Sequence, residues 1–315
     1  LTQRFNTSYQ STLFIVIIFL ILTKYRFRFV LYKLPDINDH PNPLVQNGTA
    51  FLYLDASMTE WTNTQKSVSS PDNNLALTLQ QYYSNRENKT VLYLLYNDQF
   101  NETSNKFGHT KGLLLFDENT GFWIVHSVPH FPNPIKYEWP STATTYGQSV
   151  LCITFGIDSL EGITKQLFFN RPGIFSSNVP AKFVRKFSFL PMILVGEFPK
   201  AAPYSSTVYL KSLAGKEFVS FAKSKRWHNE LYADQVAETL KSSLYVETWR
   251  NGPGNLPSSC EGKYNVLNIQ TIKLPSEVEF LTNRDHSKWA VSKVGRSNNS
   301  KWVCIGDINR QARGQ

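Results

Sequence analysis

Two short motifs of the same make-up stand out in the chain, His109-Thr110-Lys111 and His286-Ser287-Lys288. In an extended segment residues i and i+2 face the same way, so each histidine shares a side of the chain with its lysine. Such a set suits cleavage of a phosphodiester. That reaction needs a nucleophile, an acid for the departing oxygen and positive charge for the phosphoryl oxygens. One neutral imidazole can attack phosphorus while a second, protonated, donates to the leaving sugar oxygen. The two lysines then supply the fixed charge that bound cations supply in metal-dependent nucleases. Opposite protonation states at two histidines predict a bell-shaped pH profile centred on mildly acid conditions. A lone His-x-Lys is weak evidence, and ordinary strand-surface residues account for either one alone. The signal is their matching position, each at the head of a hairpin in its own half of the chain.

The elements that must hold these motifs are legible in outline. Phe29–Leu34 and Ala50–Leu54 read as strands, and Ser70–Asn74 starts a helix over Leu75–Tyr83. Val91–Tyr96 is a continuous apolar run, the mark of a strand buried on both faces. Gly108–Phe116, a turn at Asp117–Gly121, and Phe122–Val128 form the first hairpin. In the second half Lys216–Lys223 and Leu231–Leu244 read as helices, and Tyr245–Trp249 and Val266–Leu274 as strands. His286–Ser292, a polar turn at Gly295–Ser300, and Lys301–Ile305 form the second hairpin. The expected fold is α/β with mixed sheets, in two lobes related by an approximate two-fold. Residues 1–28 are set apart, 29–160 form an N-terminal lobe with the first motif, and 161–315 a C-terminal lobe with the second.

A chain of 315 residues with 41% hydrophobic and 14% aromatic content is neither disordered nor of low complexity. Its net charge of +9 is compatible with a polyanionic partner, and equally with a basic secreted protein that has none. Leu13–Leu22 is an apolar run of ten residues, where a membrane span needs about twenty. It fits the core of a signal peptide, with a short signal-anchor as the alternative. Sequons at Asn47, Asn88, Asn101 and Asn298 suit the secretory pathway, hence a secreted or lysosomal glycoprotein without stable membrane association once the run is cleaved. Cys152, Cys260 and Cys304 show no Cys-x-x-Cys spacing, and His126 and His130 flank Pro129 in an extended stretch rather than sharing a helix face. No metal or other cofactor is expected. His40, His130 and His228 read as surface residues, and Trp227, Trp249 and Trp289 as core or as base-stacking residues.

Longer stretches carry a resemblance: YKLP (Tyr32–Pro35), LLYNDQ (Leu94–Gln99), GHTKGLLLFD (Gly108–Asp117), GFWIVHSVPHFP (Gly121–Pro132), TYGQSVLC (Thr145–Cys152), LPSSC (Leu256–Cys260), DHSKWAVS (Asp285–Ser292) and WVCIGDINR (Trp302–Arg310). In order along the chain they resemble the deoxyribonuclease II family, which includes the plancitoxins and belongs to the phospholipase D superfamily. The resemblance implies a two-lobed fold, one active site between the lobes, and acid, metal-independent endonucleolytic cleavage of DNA to 3′-phosphate ends. It implies His109, Lys111, His286 and Lys288 as catalytic residues, with the choice of attacking histidine open.

The superfamily's Gly-Ser-x-Asn motif falls at His126 in the first half and resembles Gly306-Asp307-Ile308-Asn309 in the second. His126, Asp307 and Asn309 are therefore expected as supporting contacts, with a core role for His126 as the alternative. The superfamily's aspartate five residues after the lysine is missing at that spacing, Asp117 coming one residue later. The family's disulfides imply partners for Cys152 in the Lys24–Arg28 region, for Cys304 at the position of Ala290, and for Cys260 beyond Gln315. Two other readings share the fold: a secreted, catalytically inactive DNA-binding or host-interaction protein, and a lipid phosphodiesterase.

Overall fold

The structure is a computed structural model that describes residues 28–100, 106–275, 278–293 and 301–311. The apolar run 13–22, Lys24 and Arg26, the sequons at Asn101 and Asn298, and the turn 295–300 lie outside the described residues. The strands are β1 (Arg28–Lys33), β2 (Phe51–Asp55), β3 (Thr62–Asn63), β4 (Leu92–Asn97), β5 (Lys111–Phe116), β6 (Thr120–His126), β7 (Gln148–Gly156) and β8 (Ile174–Asn178), then β9 (Ser205–Lys211), β10 (Glu217–Lys223), β11 (Leu244–Glu247), β12 (Val266–Asn268), β13 (Thr271–Lys273), β14 (Glu279–Leu281), β15 (Trp289–Ser292) and β16 (Val303–Ile305). Between them run α1 (Pro43–Gln46), α2 (Asn74–Asn85), α3 (Leu160–Asn170), α4 (Ala181–Lys186), α5 (Phe189–Leu194) and α6 (Glu238–Leu240).

The first eight strands form one sheet in the order β3-β2-β1-β7-β6-β5-β4-β8, with every neighbouring pair antiparallel. Helices cover both of its faces, which explains why β4 reads as an unbroken apolar run: all six of its residues are buried. Tyr93 and Leu95 face a core completed by Leu75, Leu79 and Tyr82 of α2. Leu92, Leu94 and Tyr96 face the opposite core, with Leu160, Ile163 and Leu167 of α3. Helix α2 starts where expected because the Asn73 side chain accepts a hydrogen bond from Ala76 N at 2.9 Å.

A second sheet has the order β12-β11-β15-β16, in which only β11 and β12 are parallel. The fold is thus mixed α/β with several antiparallel sheets. One local arrangement occurs twice: β5 lies between β4 and β6 as β15 lies between β11 and β16, and each middle strand is led by its His-x-Lys. Tyr32 and Leu52 of the large sheet share a core with Ile272, Phe280 and Trp289, so the two sheets are packed together rather than tethered.

Three expectations fail. Lys216–Lys223 is not a helix: residues 217–223 are strand β10, paired with β9 throughout. Its Phe218, Val219 and Phe221, aromatic and β-branched, have a fit to a pleated surface that outweighs the helical spacing. The helix expected over Leu231–Leu244 is a π-helical turn at Tyr232–Ala237 followed by α6, and it stops at Leu240 because Lys241 turns left-handed at φ 51°. Leu244 instead opens β11. The single strand expected at Val266–Leu274 is broken into β12 and β13, which belong to different sheets. Strand β7, at the centre of the large sheet, and helix α3 have no counterpart among the expected elements. Among the described residues no helix is long and apolar enough to cross a membrane.

Candidate active site

The motifs sit where the chain enters β5 and β15: Lys111 is the first residue of β5, and Lys288 directly precedes β15. The aspartate of the 306–309 segment reaches across the molecule to hold the first. Asp307 is buried, and its Oδ2 accepts from Thr110 Oγ1 at 2.6 Å and from Lys111 N at 3.0 Å. Its carbonyl oxygen lies 2.7 Å from His109 Nδ1. A carbonyl only accepts, so Nδ1 carries the proton and the lone pair of His109 is on Nε2. Lys111 is fully buried, with Nζ paired to Asp98 just past the end of β4.

The second motif is held by first-half residues in return. His286 N donates to Gly147 O at 2.9 Å, and Gly147 N to Arg284 O at 2.9 Å. His286 Nδ1 faces two acceptors, Ser127 O at 3.1 Å and Gln148 Oε1 at 3.3 Å. Gln148 is itself fixed by Ser127 Oγ at 2.6 Å. The same tautomer results, with Nε2 again carrying the lone pair. Lys288 is fully buried; its Nζ donates to His286 O at 2.5 Å and stands 3.3 Å from Nδ1. Asp285 braces this turn by accepting from Tyr32 Oη at 2.6 Å, Ser287 N at 2.9 Å and Ser287 Oγ at 2.6 Å.

His109 and His286 open onto one cleft of about 460 Å³, together with Asn309, Trp249, Asp98 and a set of cationic side chains. The Trp249 ring stands edge-on to His286, with centroids 4.9 Å apart at 70°. Of the three tryptophans considered from sequence, only Trp249 lines this cleft: Trp289 belongs to the core, and the Trp227 ring lies under Lys223. The expected partners Lys111 and Lys288 are both fully buried and are not among the residues that line the cleft.

Burial and positive neighbours set the protonation of the site. Burial, then the Lys111 cation, pushes His109 down to about 3. Burial, then Lys288 and Lys111, holds His286 well below the usual imidazole range. Burial, then the Lys111 charge, brings Lys288 down to about 7. Both histidines are neutral near pH 7, and Lys288 gains its full charge as the medium turns acid.

The remaining expected residues are distributed as follows. His126 is fully buried, accepts from Val128 N through Nδ1 at 3.1 Å, and stands edge-on to Phe131. It is not among the residues lining the cleft, and its Nε2 has no hydrogen-bond partner among the described residues. Asn309 does line the cleft, with Oδ1 likewise unpartnered among them. Asp117 caps the β5–β6 turn, accepting from Asn119 N and Thr120 N, and takes no part in the site. Residues without an assigned role in the sequence, Asp98, Ser127, Gln148 and Asp285, hold the motif side chains. All four lie inside the family-like stretches, which was the only signal for them. Among the described residues no group of three or more His, Cys, Asp or Glu is placed to hold a metal ion.

Residues 28–315 match the family profile described as Deoxyribonuclease II. Relatives include Cell death-related nuclease 6 of Caenorhabditis elegans, 40% identical over 295 residues, covering 90% of this chain and 78% of the relative. Plancitoxin-1 of Acanthaster planci is 39% identical over 289 residues, covering 90% and 80%. Deoxyribonuclease-2-alpha of Sus scrofa is 37% identical over 295 residues, covering 90% and 79%.

Proposed function

The chain belongs to the deoxyribonuclease II family, and from that membership we propose that this DNase II-type endonuclease cuts DNA with its two histidines alone, without a metal, in acid conditions. The observation that carries the reading is the convergence of His109 and His286 on one cleft, each with Nδ1 tied to an oxygen and Nε2 left for the substrate. One Nε2 attacks the scissile phosphorus. The N–P bond forms as the bond to the 5′ oxygen breaks, and the other imidazolium delivers its proton to that oxygen. Water then attacks the phosphohistidine with the second histidine as base, releasing a 3′-phosphate and restoring both rings. Lys111 and Lys288 supply positive charge to the phosphoryl group, with Asn309 as a further donor and Asp307 holding the first motif in place. His126, the last residue of β6, acts from the core, within range of the Lys111 charge.

The acid preference has a cause in the site. A histidine that must donate a proton, yet is held low by burial and two lysines, becomes competent as pH falls and as the phosphate anion binds. Sequons at Asn47 and Asn88 fall on described surface residues and agree with a secreted or lysosomal location.

The test is nicking of supercoiled plasmid at about pH 5 in excess EDTA, beside His109→Ala and His286→Ala. We expect cleavage that survives the chelator and falls by about 10²–10⁴-fold in each variant. Cleavage that stops in EDTA and returns with a divalent cation would refute the metal-free mechanism. Folded protein with no cleavage would leave the inactive DNA-binding protein as the better reading.

A further inference from the structure

Beyond the histidines, the cleft wall carries two arginines, Arg171 and Arg226. Arg171, the left-handed residue after α3, has its guanidinium 4.1 Å from the centre of the Phe198 ring, and Arg226 lies 5.5 Å from the same ring. Each is anchored to the loop that carries Phe198: Arg171 Nε donates to Gly196 O at 3.2 Å, and Arg226 Nη1 to Lys200 O at 2.6 Å. Neither makes an ion pair with a carboxylate among the described residues. A guanidinium laid on an aromatic ring and pinned by one N–H has lost most of its rotamer freedom, while its other N–H groups stay available. Two such groups anchored around one ring, with exposed Lys225 lining the same cleft, are preorganised for an anion with several oxygens.

We propose that Arg171 and Arg226, shelved on Phe198, form a second phosphate subsite that grips a DNA backbone phosphate other than the one being cut. The inference rests on the nuclease reading for the identity of its ligand. The subsite fixes the run of the backbone along the cleft without reading bases. The phosphate belongs either to the strand being cut or to its complement, and the chemistry is the same.

The test is equilibrium binding of fluorescent single-stranded and duplex oligonucleotides, as a function of salt. The full chain carries His286→Ala so that the DNA stays intact. Arg171→Gln and Arg226→Gln are each expected to weaken binding and to make the plot of log affinity against log salt shallower by about one unit for each phosphate no longer neutralised, alike for different sequences. A loss on both DNA forms places the phosphate on the strand being cut; a loss on duplex alone places it on the complement. Phe198→Leu keeps both charges, so it should weaken binding while leaving the slope unchanged. Arginine variants that keep the wild-type slope on both DNA forms would overturn the subsite. Cleavage plays no part in this assay, so failure of the histidine mechanism and failure of the subsite are separate outcomes.

Discussion

At His109 and His286 the ring nitrogen away from the cleft is occupied by a carbonyl supplied from the other half of the chain, Asp307 O in one case and Ser127 O in the other. This crossing makes each half the orienting scaffold for the other's histidine. Asp307 bears most of it, so Asp307→Ala should strand Thr110 Oγ1 and Lys111 N in a buried setting. The cost is about 1–3 kcal/mol of stability for each unsatisfied donor, measured by denaturant titration, with a fall in kcat beyond any rise in KM. The pH dependence follows from the same residues. With both histidines held below the usual imidazole range, kcat/KM should climb steadily as pH drops from 7 towards 4, because each step protonates more of whichever one serves as the acid. A kcat/KM that rises from pH 5 to 8 would contradict this. The histidines and lysines were legible in the sequence because motif and spacing carry them. Gln148 was not, since His286 lies 138 residues away along the chain, and neither was Asp98, which only the pairing of β4 with β5 sets beside Lys111.

At the scale of elements, hairpins and capped helices were readable where local pattern and tertiary setting agree, as in β5–β6 and α2. Strand β10 was not readable, since its pairing with β9 outweighs its own periodicity. The sheets also account for the cysteines. Ala290 and Cys304 are direct cross-strand partners in β15 and β16, where the family resemblance implied a disulfide. Cys152 pairs in register with Phe29, next to the stretch implied to hold its partner. The described cysteines are free thiols. Ala290→Cys should therefore form a disulfide with Cys304 under oxidising conditions and stabilise the protein by about 2–4 kcal/mol, seen as a rise in Tm that dithiothreitol abolishes. Failure of the two thiols to join in the folded protein under oxidising conditions would show that the register is not the native one.

Across the whole molecule, buried ionisable groups join the two sheets and set how stability varies with pH. Glu247, fully buried at the end of β11 with neither carboxylate oxygen hydrogen-bonded among the described residues, is pushed up to about 10 by burial and then by Asp285. The native protein keeps a proton there that the unfolded chain releases above about 4.5, so this group lowers stability as pH rises from 4.5 towards 10. His109 acts in the opposite sense, lowering stability as pH falls from 6.5 towards 3, since only the unfolded chain takes up the proton. Glu247→Gln removes the first effect. Its stability relative to wild type should improve between pH 5 and 8 by more than about 1.4 kcal/mol, the equivalent of one pKa unit. A difference independent of pH would contradict the buried, protonated carboxyl.

The claim on which the rest depends is that the two halves contribute one histidine each, in unlike roles, to a single phosphoryl transfer. Its most direct measurement compares His109→Ala and His286→Ala on DNA and on thymidine 3′-(p-nitrophenyl phosphate), whose leaving group needs no proton. Both variants should lose about 10²–10⁴-fold on DNA, while the one lacking the acid regains most of its rate on the activated ester and the one lacking the nucleophile does not. Equal impairment of both variants on both substrates, or retention of DNA cleavage by either, would contradict the account.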